Sequence, residues 1–593
     1  MFLPTTADEL RELRWDSLDV VLVTGDTYID SPHIGIAVIG RTLLAAGYRV
    51  GIIAQPDIRG EADIARLGEP GLFWGVTSGC VDSMVANYTP TGKPRKQDDL
   101  TAGGVNSRRP DRAVIVYTNL IRRVFKKTRP IVLGGVEASL RRISHYDYWS
   151  DSVRRSILFD AKADALVYGM GEKTVLSLAG RLRNGHEWRN LRGICYIARE
   201  PRDGFVELPP HENVQHDTTR FTEMYRAFYA NAEPETARGL YQKQDTRCLI
   251  HNPPQRSPSQ RELDTYHELP YKRDAHPYYS AKGEVRALET VRFAITTHRG
   301  CFGQCRFCAI AVHQGRTVQS RSEASLLREA RSFEDHPDFK GIIPDCGGPT
   351  ANMYGMGCRL KNAQEACRRE HCLIPSPCRH LVRTHDRQIR LLRNLAALPR
   401  VKKVFLGSGI RYDLVLGDSN SGLSYLQQIL KHNVSGQLKV APEHTEPSVL
   451  KLMGKPGAAS LERFKKAFDA VNAKTGKEQY LTYYFMADHP GCTLEHMQRL
   501  RQFVGEKLRL HPEQVQIFTP TPSTYSTLMY WTETHPFTNE PLFVEKTVRG
   551  KQRQKNTLIG KAPGRGRTRR RPPQYPKGRK TRRKIPDPPN TPL

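Results

Sequence analysis

No apolar run in this chain approaches the roughly 20 residues that a membrane-crossing helix needs, so no span is expected. The start, Met1 to Leu10, lacks a basic stretch followed by an apolar one, and no signal peptide is expected either. Cysteine is scarce, 12 among 593 residues, too thinly spread for a disulfide scaffold. Acidic residues are outnumbered, 61 Asp and Glu against 91 Lys and Arg, which leaves a formal net charge of +30. A hydrophobic fraction of 38% and a mean hydropathy of −0.56 are low for a compact enzyme and point to a polar portion with no core to fold on. What remains is a cytoplasmic chain of two or three domains, at about 150 residues each with α/β barrels running longer.

Half of the excess charge sits at the C-terminal end. Between Arg549 and Leu593 stand sixteen Lys or Arg and one acidic residue, Asp587. With almost nothing apolar to bury, ordering that stretch would cost chain entropy without return, so residues 546–593 are expected to be a disordered basic tail. Such a tail either aids solubility alone or makes salt-sensitive contact with RNA phosphates or another polyanion.

Residues 1–185 alternate short apolar strands with helical patterns. Asp19–Val23, Arg49–Ile53, Leu72–Val76, Ile131–Leu133 and Ala165–Val167 read as strands, with helices at Ile36–Ala46, at Arg112–Phe125 and from about Glu172. Apolar strands each followed by a helix predict an α/β fold with a doubly wound parallel sheet. Such sheets bind ligands beyond the carboxyl ends of their strands, where this sequence has Thr24-Gly25-Asp26, Thr77-Ser78-Gly79-Cys80 and Gly134-Gly135-Val136-Glu137. Small residues there serve either a site or simply tight turns. The layout resembles the cobalamin-binding domain that precedes the barrel of many radical enzymes. The fingerprint of that domain for His-ligated cobalamin is Asp-x-His-x-x-Gly. Around His33, Ser31 stands in place of the Asp and Ile36 in place of the Gly, which argues against bound cobalamin while keeping a cobalamin-binding-like fold. Residues 186–285 are rich in Arg, Pro, Gln and His with weak periodicity, and predict an irregular connector.

A strand pattern, Val291–Thr296, leads into Cys301, Cys305 and Cys308. The spacing Cys-x3-Cys-x2-Cys lets three thiolates hold three corners of a cubic [4Fe–4S] cluster and leaves the fourth iron open. Gly300 and Gly303 permit backbone conformations that a side chain would block. Zinc, with His298 or His313 as fourth ligand, is the other use of such a trio. The spacing resembles the motif of radical SAM enzymes. That resemblance implies a cluster held by Cys301, Cys305 and Cys308, its open iron chelated by the amino and carboxylate groups of S-adenosylmethionine (SAM), and a low-potential electron donor.

Residues 286–545 repeat a strand–helix unit. Further strands read at Gly341–Pro344, Lys403–Leu406, Gln437–Val440, Tyr480–Phe485 and Val515–Phe518, a rhythm similar to the partial (β/α)6 barrel of radical SAM proteins. Barrel sites lie at the carboxyl ends of strands. In the register of that family, Gly347 and Gly348 would take the methionine amino group of SAM, and Ser408, Arg411 and Glu443 its carboxylate and ribose hydroxyls. Ordinary loop polarity also accounts for the last three. Together Arg299–Ile310, His313–Arg316 and Gly347–Tyr354 resemble the YgiQ family of radical SAM proteins, and Gly134–Gly171 resembles its N-terminal half. The resemblance covers residues 1–545 and implies no substrate, since none is established for that family.

A second cysteine group, Cys358, Cys367, Cys372 and Cys378, lies in a cysteine-rich insertion at 346–378. Four thiolates so close can hold an auxiliary Fe–S cluster or a zinc ion, or form a loop of unpaired thiols. The sequence thus predicts a radical SAM enzyme of unknown substrate. The rival reading is a non-catalytic metal-containing RNA-binding protein with structural cysteine sites.

Overall fold

The computed structural model describes residues 1–362, 367, 371–512 and 514–560. In the N-terminal half, β1 (Val20–Thr24), β2 (Val50–Ala54), β3 (Phe73–Thr77), β4 (Ile131–Leu133) and β5 (Ala165–Val167) pair in parallel in the order β2-β1-β3-β4-β5. This is a doubly wound order with its reversal between β1 and β3. The strands read as unbroken apolar runs because both faces are covered. Val20 and Leu22 pack with the helices Gly35–Ala45 and Glu172–Arg183, and Val21 and Val23 pack with Ala113–Val124.

Residues 186–285 are not irregular, against expectation. They supply β6 (Ile194–Ala198), β7 (Val206–Leu208), β8 (Leu240–Gln244) and β9 (Arg247–His251), which extend the sheet to nine strands in the order β2-β1-β3-β4-β5-β6-β9-β8-β7. The helix Thr218–Ala230 comes from the same stretch. Buried polar side chains disguised these strands. Gln242 is fully buried, accepts from the Ser144 N–H at 3.1 Å and donates to the Pro209 carbonyl at 2.9 Å. A buried amide matched in this way is tolerated, yet in a sequence it reads as loop polarity.

In the second half, parallel pairs link Ile295 with Cys346, Ile342 with Lys403, Ile410 with Val440, Gln437 with Tyr480 and Met486 with Gln516. Six strand segments therefore stand side by side in chain order, with helices such as Glu323–Ser332, Asp386–Ala396 and Ala458–Thr475 between them. Leu326, Leu392 and Phe464 from those helices share one core with Ile343, Leu438 and Phe485. The first strand is shorter than expected: Leu288–Val291 is helical and only Ile295–Thr296 pairs.

Order also extends past residue 546. Val548–Ile559 is a helix with Lys551, Gln554 and Leu558 buried. Lys551 Nζ lies 2.9 Å from the Tyr530 hydroxyl and 3.2 Å from Asp488. Gln554 accepts from the Asp488 N–H and donates to the Cys492 carbonyl, both at 2.9 Å. A helix that docks through polar groups shows no apolar period, which is why the sequence concealed it. The rest of the expected tail, 561–593, lies outside the described residues. Among the described residues no helix is long and apolar enough to cross a membrane.

Candidate active site

The cysteine loop leaves Ile295–Thr296 through Gly300, whose φ is +80° and whose Cβ would collide with the Thr317 carbonyl. The Cys308 N–H turns back to the Cys305 carbonyl at 3.0 Å. The three sulfurs share one space. Burial, then Cys305 and Cys301, push the Cys308 thiol up to about 12. Burial also raises Cys301, with the Arg411 guanidinium opposing it. Arg411 pairs with Asp413 at 2.7 Å and points Nη1 at Cys305 Sγ, 3.7 Å away. Three sulfurs within reach of one another, with a guanidinium beside them to balance the negative charge of thiolates, fit an iron–sulfur cluster.

Zinc would need a fourth protein ligand beside the trio. Among the described residues, the only set of three or more Cys, His, Asp or Glu donors within 4.8 Å of one another is Asp274, His336 and Asp338. His298 directs Nδ1 to the Thr297 hydroxyl at 2.8 Å, and His313 Nδ1 lies 3.0 Å from the Ser139 hydroxyl.

Next to the loop is a cavity of about 480 Å³. One wall is made by strand ends of the N-terminal sheet: Asp26 after β1, Gly79 and Cys80 after β3, Gly134 and Gly135 after β4, and Gly169 after β5. This is the crevice that a doubly wound sheet opens where the strand order reverses. The facing wall includes His298, Ile310, His313, Gln314, Gly347 and Gly348. Two polar ties join the walls. Arg299 forms a buried ion pair with Glu172, and His33 Nε2 meets the Thr296 hydroxyl at 3.1 Å. Burial alone would raise the Glu172 carboxyl, but the Arg299 guanidinium holds it below its ordinary range. With Nε2 on Thr296 and Nδ1 3.4 Å from the Ser31 hydroxyl, His33 offers no nitrogen to cobalt, so the residues present do not fit a His-ligated corrinoid.

Gly347, Gly348 and Ser408 line this cavity. A Cβ on Gly348 would come within 2.6 Å of the His298 ring. The Ser408 hydroxyl donates to Asp345, which also accepts from the Gly407 and Ser408 N–H groups at 2.8 and 3.0 Å. Arg411 and Glu443 are not part of the cavity wall. Glu443 is raised by burial, with Lys455 opposing at 3.9 Å. The sequence gives no role to Asp345, and it marks Cys80 only as one of the small residues at a strand end. The Cys80 N–H donates to Asp26 at 2.6 Å, and Asp26 pairs with Arg109 at 2.6 Å; the only signal for either residue was its position at a strand end. The second cysteine group meets the same loop, where the Cys372 N–H donates to Gln304 Oε1 at 3.3 Å.

A family model described as Radical SAM N-terminal matches residues 2–294. The chain is 53% identical over 561 residues to a UPF0313 protein of Fusobacterium nucleatum subsp. nucleatum, covering 94% of this chain and 99% of that one. The chain belongs to the UPF0313 family. UPF0313 proteins of Thermotoga maritima and Methanocella arvoryzae are 47% and 48% identical to it, over 95% and 94% of this chain and 100% and 93% of theirs. This is the YgiQ-like family that the motifs resemble. Among solved structures, the UPF0313 chain is similar to the radical SAM methyltransferase TsrM of Kitasatospora setae with cobalamin and a [4Fe-4S] cluster bound. Identity is 14% and the TM-score 0.49, over 91% of this chain and 85% of that one. It is also similar to the cobalamin-dependent SAM radical enzyme OxsB, at 13% identity and a TM-score of 0.49, over 90% and 58% of the two chains.

Proposed function

We propose that this UPF0313 protein is a cytoplasmic radical SAM enzyme acting on a substrate held between the N-terminal strand ends and the mouth of a partial (β/α)6 barrel. The observation that carries the reading is that the half-buried trio Cys301, Cys305 and Cys308 follows the first of six sequential parallel strands, beside a cavity walled by Gly347 and Gly348. When bound, a reduced [4Fe–4S] cluster and SAM together supply a 5′-deoxyadenosyl radical by one-electron cleavage of the S–C5′ bond.

The chain's own residues do the rest. Cys301, Cys305 and Cys308 would hold the cluster, with no fourth thiol in the motif. Gly347 and Gly348 expose backbone to the methionine amino group; Ser408, Arg411 and Glu443 receive the carboxylate and ribose. Arg411 also lays positive charge beside Cys305, which favours electron arrival at that corner. Apolar strand residues line the cavity, and the Arg299–Glu172 pair joins its two walls.

Anaerobically reconstituted protein given dithionite and SAM should release 5′-deoxyadenosine and methionine, and Cys305→Ala should abolish both. Equal product from the two proteins, or none from cluster-loaded native chain, would sink the reading.

A further inference from the structure

We propose that Cys358, Cys367, Cys372 and Cys378 hold a second [4Fe–4S] cluster, ligated by four thiolates, directly beside the first. The local fold gathers them. A short antiparallel pair sets Cys358 opposite Leu381. The Leu381 N–H donates to the Cys378 carbonyl at 3.0 Å, and the Cys378 N–H donates to the Cys372 carbonyl at 2.8 Å. The backbone thus closes one turn on Cys372 and Cys378 and brings Cys358 to its rim. Cys367 is tied in by Arg316, whose Nη2 donates to its carbonyl at 3.3 Å.

Electrostatics agree with this geometry. Cys367, Cys358 and Cys378 all lie close enough to act on the Cys372 sulfur, with the Arg316 guanidinium beside them. None of the four is in a disulfide. Eight, four and five residues separate the successive cysteines, so the loop lacks the paired Cys-x2-Cys arms common in zinc ribbons and offers four well-spaced thiolates to the corners of an iron–sulfur cube. Arg316, itself paired with Glu233 at 2.5 Å, supplies cationic charge next to the thiolates.

The two cysteine groups share walls. Cys301, Cys372 and Cys378 pack on one apolar patch with Phe302, Met353 and Leu373. Gln304, between Cys301 and Cys305, accepts from the Cys372 N–H. A cavity of about 730 Å³ touches Cys305, Cys308 and Cys367 together. With all four corners ligated, the second cluster has no open iron and does not bind SAM.

Iron and acid-labile sulfide counts on the full chain, reconstituted without oxygen, test this independently of turnover. Native protein should hold about eight irons, and the triple variant Cys301→Ala, Cys305→Ala, Cys308→Ala about four. The reduced triple variant should give an electron paramagnetic resonance signal that SAM leaves unchanged. Replacing Cys358, Cys367, Cys372 and Cys378 with alanine should also leave about four irons, now SAM-responsive. A triple variant without iron, or with zinc in its place, overturns the inference while leaving the enzymatic reading intact. Should the variant not fold, the native count decides, because about four irons per native chain also overturns it. Failure of the enzymatic reading looks different: eight irons with no 5′-deoxyadenosine.

Discussion

Arg411 spans two groups at once: it pairs with Asp413 through Nη2 at 2.7 Å and turns Nη1 toward Cys305 Sγ at 3.7 Å. A lysine cannot make both contacts, because one ammonium lacks the fork of a guanidinium. Arg411→Lys should therefore keep its iron but bind SAM about tenfold or more weakly, the order expected for losing a charge-assisted hydrogen bond. SAM titration of the reduced cluster's resonance signal checks this, and unchanged affinity would remove Arg411 from the SAM site.

Two glycines should fail in different ways. Gly300→Ala drives a Cβ into the Thr317 backbone at a left-handed φ, so the loop cannot close and iron at the trio should be lost. Gly348→Ala meets the buried His298 ring at 2.6 Å. It should retain iron while losing most SAM binding. Iron content and SAM affinity measured side by side separate the two outcomes.

Acid should loosen the join between the halves. Burial holds both His33 and His313 down at about 4 from an ordinary 6.5, so each is neutral in the folded protein. Between those values the unfolded chain binds the extra protons. Stability is then fully present above about 6.5 and drains away as pH falls toward 4, by up to about 1.4 kcal/mol per pH unit for each histidine. Melting temperatures across that range should fall more steeply in native protein than in His33→Gln, His313→Gln; parallel curves would refute it.

Two truncations should part at the C-terminal helix. Removing 561–593 should leave the melting temperature unchanged and, if the tail meets RNA, flatten the salt dependence of RNA affinity. Removing 548–593 also strips Lys551 from Asp488. Breaking a buried pair costs about 3 kcal/mol or more, so this protein should melt several degrees lower. Identical RNA affinity before and after the shorter cut would end the polyanion proposal.

The sequence was readable wherever burial and residue type agree. β1 to β5 are apolar on both faces and stood out to within a residue or so. The cysteine loop was legible because its chemistry is written in spacing. β8 stayed hidden because two of its three inward positions are Gln242 and Gln244, and the last helix because it docks through Lys551 and Gln554. Asp345 was invisible for another reason: its partners, Gly407 and Ser408, lie 62 and 63 residues away in sequence and meet it only across two strands.

The N-terminal wall of the 480 Å³ cavity is edged by glycine after three successive strands. Along that edge a guest meets peptide groups beside side chains such as Asp26 and Cys80, and amides and carbonyls cannot be exchanged by mutation. Chemical selectivity can therefore drift most freely through the opposite wall, at positions such as Ile310 and Gln314. Relatives that accept different guests should carry their differences on that side and leave the glycine edge alone.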